Sequence, residues 1–182
     1  IKFKIALSSR AKSFFKNTNI NYAILRYFNV CGTSKSNNFG QINSYDLLFK
    51  NLAINSLKKI PFINIYGNNY KTKDGTCIRD FIHVSDLVDI HYKTLKKINA
   101  ENKSILMNCG YGSGKSVLEV VKAFQTITKK KIKINFKSRR KADLSQIIAN
   151  NSKLKKFLRW SPRFNNLSDM VKSSVQWEKK LR

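Results

Sequence analysis

The chain has 182 residues, 42% of them hydrophobic and 12% aromatic. That is enough apolar surface for a buried core and too much for a disordered segment, while no run of about eighteen apolar residues offers a membrane span and no signal-peptide pattern leads the chain. Lysine and arginine number 36 against 10 acids, a net charge of +26, which alone would point to nucleic acid. The lysines are spread through every segment, however, and the joint excess of Asn, Ile and Lys is what a biased composition produces.

Three cysteines, Cys31, Cys77 and Cys109, lie far apart without C-x-x-C spacing. That speaks against a disulfide scaffold and a zinc site, and for a reducing, cytoplasmic setting. The first residue is Ile1 rather than Met, so the expectation is that the chain is part of something longer.

In chain order, residues 1–16 read as a helix ended by Asn17 to Asn19. Residues 22–30, Tyr-Ala-Ile-Leu-Arg-Tyr-Phe-Asn-Val, form one nearly continuous apolar strand, the pattern of a central strand covered on both faces. Residues 32–43 are a long polar loop. Helical spacing from about 45 to 58 stops at Pro61, and residues 62–66 make a short strand closed by Gly67-Asn68-Asn69.

Asp74-Gly75 is a turn dipeptide that opens a β-rich run to Val84. Arg79 sits inside this run and needs an anionic partner, either an acid such as Asp80 or Asp86 or a ligand. His83 reads as structural. Ser85 and Asp86 can cap a helix over 87–97. Residues 105–109 are a strand, followed by Gly110-Tyr-Gly-Ser-Gly-Lys-Ser116. This resembles a phosphate-binding P-loop but has three residues, not four, before its Gly-Lys-Ser. The reading is therefore a turn into a helix, with Ser116 and Glu119 as capping box and Val117, Val120, Val121, Phe124 and Ile127 as the buried stripe. Residues 131–136 alternate as a strand, 138–144 are a basic loop, and helices follow at 152–158 and from about 168. Helices and strands interleave, which predicts an α/β fold. No Gly-x-x-Gly-x-x-Gly dinucleotide fingerprint is present.

Four blocks occur in a telling order: Leu25-Arg-Tyr-Phe-Asn-Val-Cys-Gly32, Ile65-Tyr-Gly-Asn-Asn-Tyr70, Asp74-Gly-Thr-Cys-Ile-Arg-Asp-Phe-Ile-His-Val84 and Arg139-Arg-Lys-Ala-Asp143. Together they resemble the C-terminal half of the UDP-glucose 4-epimerase family, within the extended short-chain dehydrogenases/reductases. The resemblance implies the C-terminal portion of a Rossmann-type fold with the small substrate-binding lobe. The last Rossmann strands would lie in roughly 1–32 and 77–110, interleaved with a UDP-sugar lobe in roughly 33–76 and 111–182. An N-terminal NAD-binding half would be absent.

The resemblance also implies roles. Asn29, Phe28, Leu48, Asn64 and Tyr66 would contact the UDP-sugar, Arg79 and Arg140 the diphosphate, and Asp143 the ribose hydroxyls. Tyr27 would line the nicotinamide. Lys2 would be the catalytic and cofactor-binding lysine, with its partner tyrosine before residue 1. Ile147 would tune sugar size and, being smaller than tyrosine, admit an N-acetylated sugar. Bare chemistry agrees: two guanidiniums suit a diphosphate, a carboxylate suits a diol, and an aromatic face suits a base.

Each residue keeps a plainer alternative. Arg140 could be a solvated loop charge, Asp143 a cap and Tyr66 plain core. Departures stand at Gly40-Gln41 and Leu47-Leu48, where the family shows Gly-Glu and a polar-leucine pair, so a polar contact at Leu47 is lost.

The expected function is UDP-glucose 4-epimerase with bound NAD, inactive in this chain alone and homodimeric when whole. The rivals are a sister nucleotide-sugar epimerase or dehydratase, a basic nucleic-acid-binding module, and a decayed remnant.

Overall fold

The computed structural model describes residues 2–43 and 47–182, with side chains from Ala6 onward. The helix start expected near Tyr45 therefore lies outside the described residues. The elements run α1 (Lys2–Phe15), β1 (Ala23–Tyr27), β2 (Asn29–Cys31), α2 (Leu48–Ser56), β3 (Phe62–Tyr66), β4 (Ile78–Arg79), β5 (Phe81–His83) and α3 (Val84–Glu101). They continue with β6 (Ile105–Cys109), β7 (Lys115–Ser116), α4 (Val117–Thr128), β8 (Lys133–Lys137), β9 (Gln146–Ile147), α5 (Ser152–Leu158) and α6 (Leu167–Lys180).

Parallel pairing dominates, as it must where helices intervene between strands. Among the described residues β1 pairs with β6, β2 with β5, and β3 with β8, all parallel. β4 lies between antiparallel β7 and parallel β9.

The run 22–30 is not one strand. It breaks at Phe28, because its first partner ends there: Tyr27 pairs with Cys109, and Gly110 then turns away. Asn29 N donates instead to Asp80 O at 3.1 Å and the chain continues beside β5. Nor is β1 covered on both faces, since residues 23–26 are half-buried and Tyr27 is exposed. This change of partner leaves a crevice at the carboxyl ends of parallel strands, the place where open α/β sheets bind ligands.

α2, α4 and α6 pack on one another in the core, which also takes in residues of β3, β5, β6 and α3. Phe49 of α2 joins them, 5.1 Å from the Phe81 ring and 5.6 Å from Phe124. Val120, Val121 and Phe124 are fully buried, as the stripe on α4 predicts, while Val117 and Ile127 are half-buried. The capping box forms: Ser116 Oγ accepts from Glu119 N at 3.0 Å and Ser116 N donates to Glu119 Oε2 at 2.7 Å.

The start of α3 differs from expectation. The helix begins at Val84, and its cap is His83, whose Nδ1 accepts from Ser85 N at 3.2 Å. Asp86 is not free to cap. Its carboxylate accepts from Tyr111 Oη at 2.7 Å and from the backbone of Arg163 and Phe164. A neutral imidazole nitrogen can accept just as a hydroxyl can, which is why His83 fills the role.

Candidate functional site

A cleft of about 1010 Å³ opens between the strand ends and α2. Tyr27, Phe28 and Asn29 form one wall, Leu47 and Leu48 a second, and Asn64 and Tyr66 of β3 a third. Arg79, Arg140 and Asp143 close it on the polar side. The two arginines, 61 positions apart, thus face one shared hollow.

The position of Arg79 is set by the turn before it. Gly75 has φ +76, and a β-carbon there would overlap the Asn68 carbonyl oxygen, so glycine is required on two counts. Asp74 Oδ1 accepts from Thr76 N at 2.9 Å and Thr76 Oγ1 at 2.7 Å, while Ser116 Oγ donates to its Oδ2. Burial pushes the Asp74 carboxyl up, but the bonds from Ser116 and Thr76 outweigh it and hold the group below the usual carboxylate range. The turn is thereby latched to the start of α4, and β4 emerges in fixed register with β9.

Arg79 pairs with neither Asp80 nor Asp86. Its Nη1 donates to Ile78 O at 2.9 Å and Leu144 O at 2.8 Å, and its Nη2 lies 3.3 Å from Asp143 Oδ1. Three of about five guanidinium donors are used, so the fork is held rigid with donors still to offer. Asp80 has a different task. It accepts from the backbone N–H groups of Tyr111, Gly112 and Ala149 at 3.0, 2.9 and 3.1 Å. Burial nonetheless pushes its carboxyl above the ordinary range, the three N–H groups offsetting part of that rise.

This also disposes of the P-loop likeness. Two N–H groups of the turn, those of Tyr111 and Gly112, already hold the Asp80 carboxylate, Ser116 N is taken by Glu119, and a β-carbon on Gly110 would lie 2.7 Å from Asp80 Oδ2. The stretch is a packed turn.

Arg140 is not a plainly solvated charge. Its guanidinium lies over the Tyr66 ring, 3.9 Å from the centroid. Tyr66 is 36% exposed and so not plain core. Arg139 does the same over Tyr70 at 4.0 Å, while its Nε donates to Asn69 Oδ1 at 2.6 Å and its Nη2 to Asn69 O. Adjacent arginines therefore grip two separate rings, which fixes the backbone between them.

Ile147 does not border the cleft. It pairs with Arg79 across β4 and β9, and Arg79 itself forms the wall there. The Lys2 side chain lies outside the described residues. Two Tyr-x-x-x-Lys spacings do occur in the chain, Tyr92 to Lys96 and Tyr111 to Lys115. None of the four residues borders the cleft. Lys96 Nζ sits over the Tyr92 ring at 4.7 Å, and burial followed by the Asp86 bond pushes the Tyr111 hydroxyl far above its ordinary value. Neither pair is placed to act as a base on anything in the cleft.

One feature of the floor escaped the sequence reading. Lys50 Nζ lies 2.5 Å from Glu178 Oε1 and donates to Gln41 O at 2.8 Å, which also accepts from Trp177 Nε1 at 2.8 Å. The pair pins the 33–43 loop against α2 and α6 and lines the cleft from below. The available signal was a single charged residue among Phe49, Leu52, Ala53 and Ser56, the other buried positions of α2.

Among the described residues no group of three His, Cys, Asp or Glu could hold a metal, and no helix is long and apolar enough to cross a membrane. The three cysteines are buried free thiols, with burial pushing Cys109 up to about 12.

Several known proteins are similar to this chain. It is 39% identical over 159 residues to UDP-glucose 4-epimerase of Azospirillum brasilense, a match covering 87% of this chain and 46% of that protein. It is 36% identical over 171 residues to UDP-arabinose 4-epimerase 1 of Arabidopsis thaliana, covering 91% and 41%. A solved UDP-glucose-4-epimerase from Stenotrophomonas maltophila, crystallised with NAD and formylated UDP-arabinopyranose, superposes with a TM-score of 0.89 at 29% identity. That superposition covers 97% of this chain and 53% of the other, so the α/β architecture is the Rossmann-type epimerase fold over part of its extent. The chain spans under half the length of these two curated relatives. The sequence pattern of the NAD dependent epimerase/dehydratase family matches residues 3–110, and the chain belongs to that family.

Proposed function

We propose that the cleft binds a UDP-sugar, and that the chain supplies the substrate lobe of an enzyme of the UDP-glucose 4-epimerase kind. The observation carrying this is the convergence of Arg79, Arg140 and Asp143 with Asn64 and Tyr66 on one hollow. Two fixed cations at the polar wall meet a diphosphate with charge-assisted forks. Asp143 accepts from a ribose diol once Arg79 turns its remaining donors to phosphate, and the β3 wall takes the base. Asn29 and Phe28, at the opposite wall, face the sugar. The division into Rossmann strands at 1–32 and 77–110 and a substrate lobe elsewhere belongs to the same reading.

In a whole enzyme of this kind a bound NAD would supply reversible hydride transfer at C4 of the sugar. The glycines of this chain hold no dinucleotide: no fingerprint run exists, and the Gly110–Gly114 turn is filled by Asp80. What these residues offer a nicotinamide is the Tyr27–Phe28 wall, with Lys2 at the start of α1 as the lysine of the reaction. The 182 residues by themselves bind and orient a substrate without turning it over. Exposed Leu7 and Phe14 on α1 support a homodimer of the whole enzyme, and three buried free thiols suit the reducing cytoplasm.

Calorimetric titration tests the reading. UDP should bind the chain with a shallower salt dependence than a random oligonucleotide, which should bind only weakly and lose affinity steeply as salt rises. Tight, salt-sensitive oligonucleotide binding with none for UDP would establish the basic binding module instead.

A further inference from the structure

A second cavity, of about 330 Å³, lies on the far side of α6 from the cleft. The helix walls both: Ser174, Trp177 and Glu178 border the cleft, whereas Val175 and Lys179 border the second cavity. Its apolar lining is Leu57 just beyond α2, Ile127 in the last turn of α4 and Val175. The hydroxyls of Ser56 and Thr128, which also border it, donate back to Ala53 O and Phe124 O, so they leave no unmet donor in an apolar floor.

The rim is cationic. Lys130, Lys172 and Lys179 line it, and no acid does. A helix C-terminus ordinarily repels an anion, because its last carbonyls sit at the negative end of the dipole. At the end of α2 cations cover them. Arg182 donates to Ile54 O at 3.2 Å and to Leu57 O at 3.5 Å, and Lys130 Nζ donates to Lys58 O at 2.9 Å. Lys172 and Lys179 flank Val175 along α6 and have no side-chain partner among the described residues.

We propose that this cavity is a second ligand site, which takes an aliphatic carboxylate. The chain lies against Leu57, Ile127 and Val175, and the carboxylate meets Lys172 and Lys179. At about 30 Å³ for each water-sized group, 330 Å³ holds about ten non-hydrogen atoms, the size of an eight-carbon acid. Burial of the chain supplies most of the affinity, since an exposed ammonium adds little. The two unpartnered lysines select an anionic head. The site is independent of what the cleft binds.

The test is calorimetric titration of the full 182-residue chain at pH 7.5 with octanoate and with butanoate, with and without saturating UDP. The variant is Lys172→Gln/Lys179→Gln; both lysines are exposed, and circular dichroism checks that the variant is folded. Octanoate should bind at roughly 0.1–1 mM whether or not UDP is present, and butanoate at least about ten-fold more weakly. The variant should bind octanoate about three- to ten-fold more weakly and UDP within about two-fold of the parent. Any of four results overturns the site: no octanoate binding up to about 10 mM, butanoate binding as tightly as octanoate, displacement of octanoate by UDP, or a variant that keeps the parent's octanoate affinity. If the chain binds no UDP, the cleft reading falls, and the comparisons of chain length and variant still decide the second site.

Discussion

The Lys50–Glu178 pair allows a sharp test of what holds the cleft floor. Both side chains are nearly inaccessible, 5% and 8% exposed, and they meet at 2.5 Å. Such a pair adds little net stability, because the cost of removing two charges from water offsets most of their attraction. Breaking it is another matter. Lys50→Met leaves the Glu178 carboxylate buried with no cation, a loss of about 3–5 kcal/mol. For a chain of this size that is a fall of roughly 6–20 °C in melting temperature, at about 2–4 °C per kcal/mol. Lys50→Met/Glu178→Leu removes both charges and should recover most of the loss, since the Gln41 carbonyl keeps its bond from Trp177. Urea denaturation monitored by circular dichroism reads all three proteins. A single variant within about 1 kcal/mol of the parent, with a double variant no better than the single, would refute the reasoning.

Other outcomes follow from the same geometry. Burial strips water from the His83 imidazolium and lowers its pKa below the ordinary value of about 6.5, although Asp86 and Asp169 pull the other way. The folded state thus binds fewer protons than the unfolded chain. Stability from neutral His83 is present above about pH 6.5 and lost as pH falls through the lower folded value, and protonated Nδ1 can no longer accept from Ser85 N. Denaturation of His83→Asn across pH 7.5 to 5 should show a flatter slope than the parent; equal slopes would count against it. Ser116→Ala removes the cap on Glu119 N and the donor to Asp74, and should cost about 1–2 kcal/mol by the same assay. Arg79→Met should weaken UDP by roughly 10- to 100-fold, with Arg79→Lys between, because an ammonium cannot replace the fork held by Ile78 and Leu144.

Sequence alone determined what nearest neighbours decide. The Asp74-Gly75 turn, the Ser116–Glu119 capping box and the buried stripe of α4 are settled within a few residues along the chain, and all were legible. So were the identities of Arg79, Arg140 and Asp143 as the charged residues worth following, since the order of the motif blocks carried them. Tertiary structure alone decided who meets whom. Asp143, 64 positions away, rather than adjacent Asp80, pairs with Arg79, because Asp80 is drawn inward by three backbone N–H groups. The 22–30 run splits at Phe28 because Cys109 is the last residue its first partner offers. Lys50 finds Glu178 across 128 positions, Arg140 settles on Tyr66, and Ile147 falls beside Arg79 on the neighbouring strand. Hydrophobic periodicity says that a face is buried but not against what, and a charge says that it needs a partner but not which one; only the closed chain supplies the distances that choose.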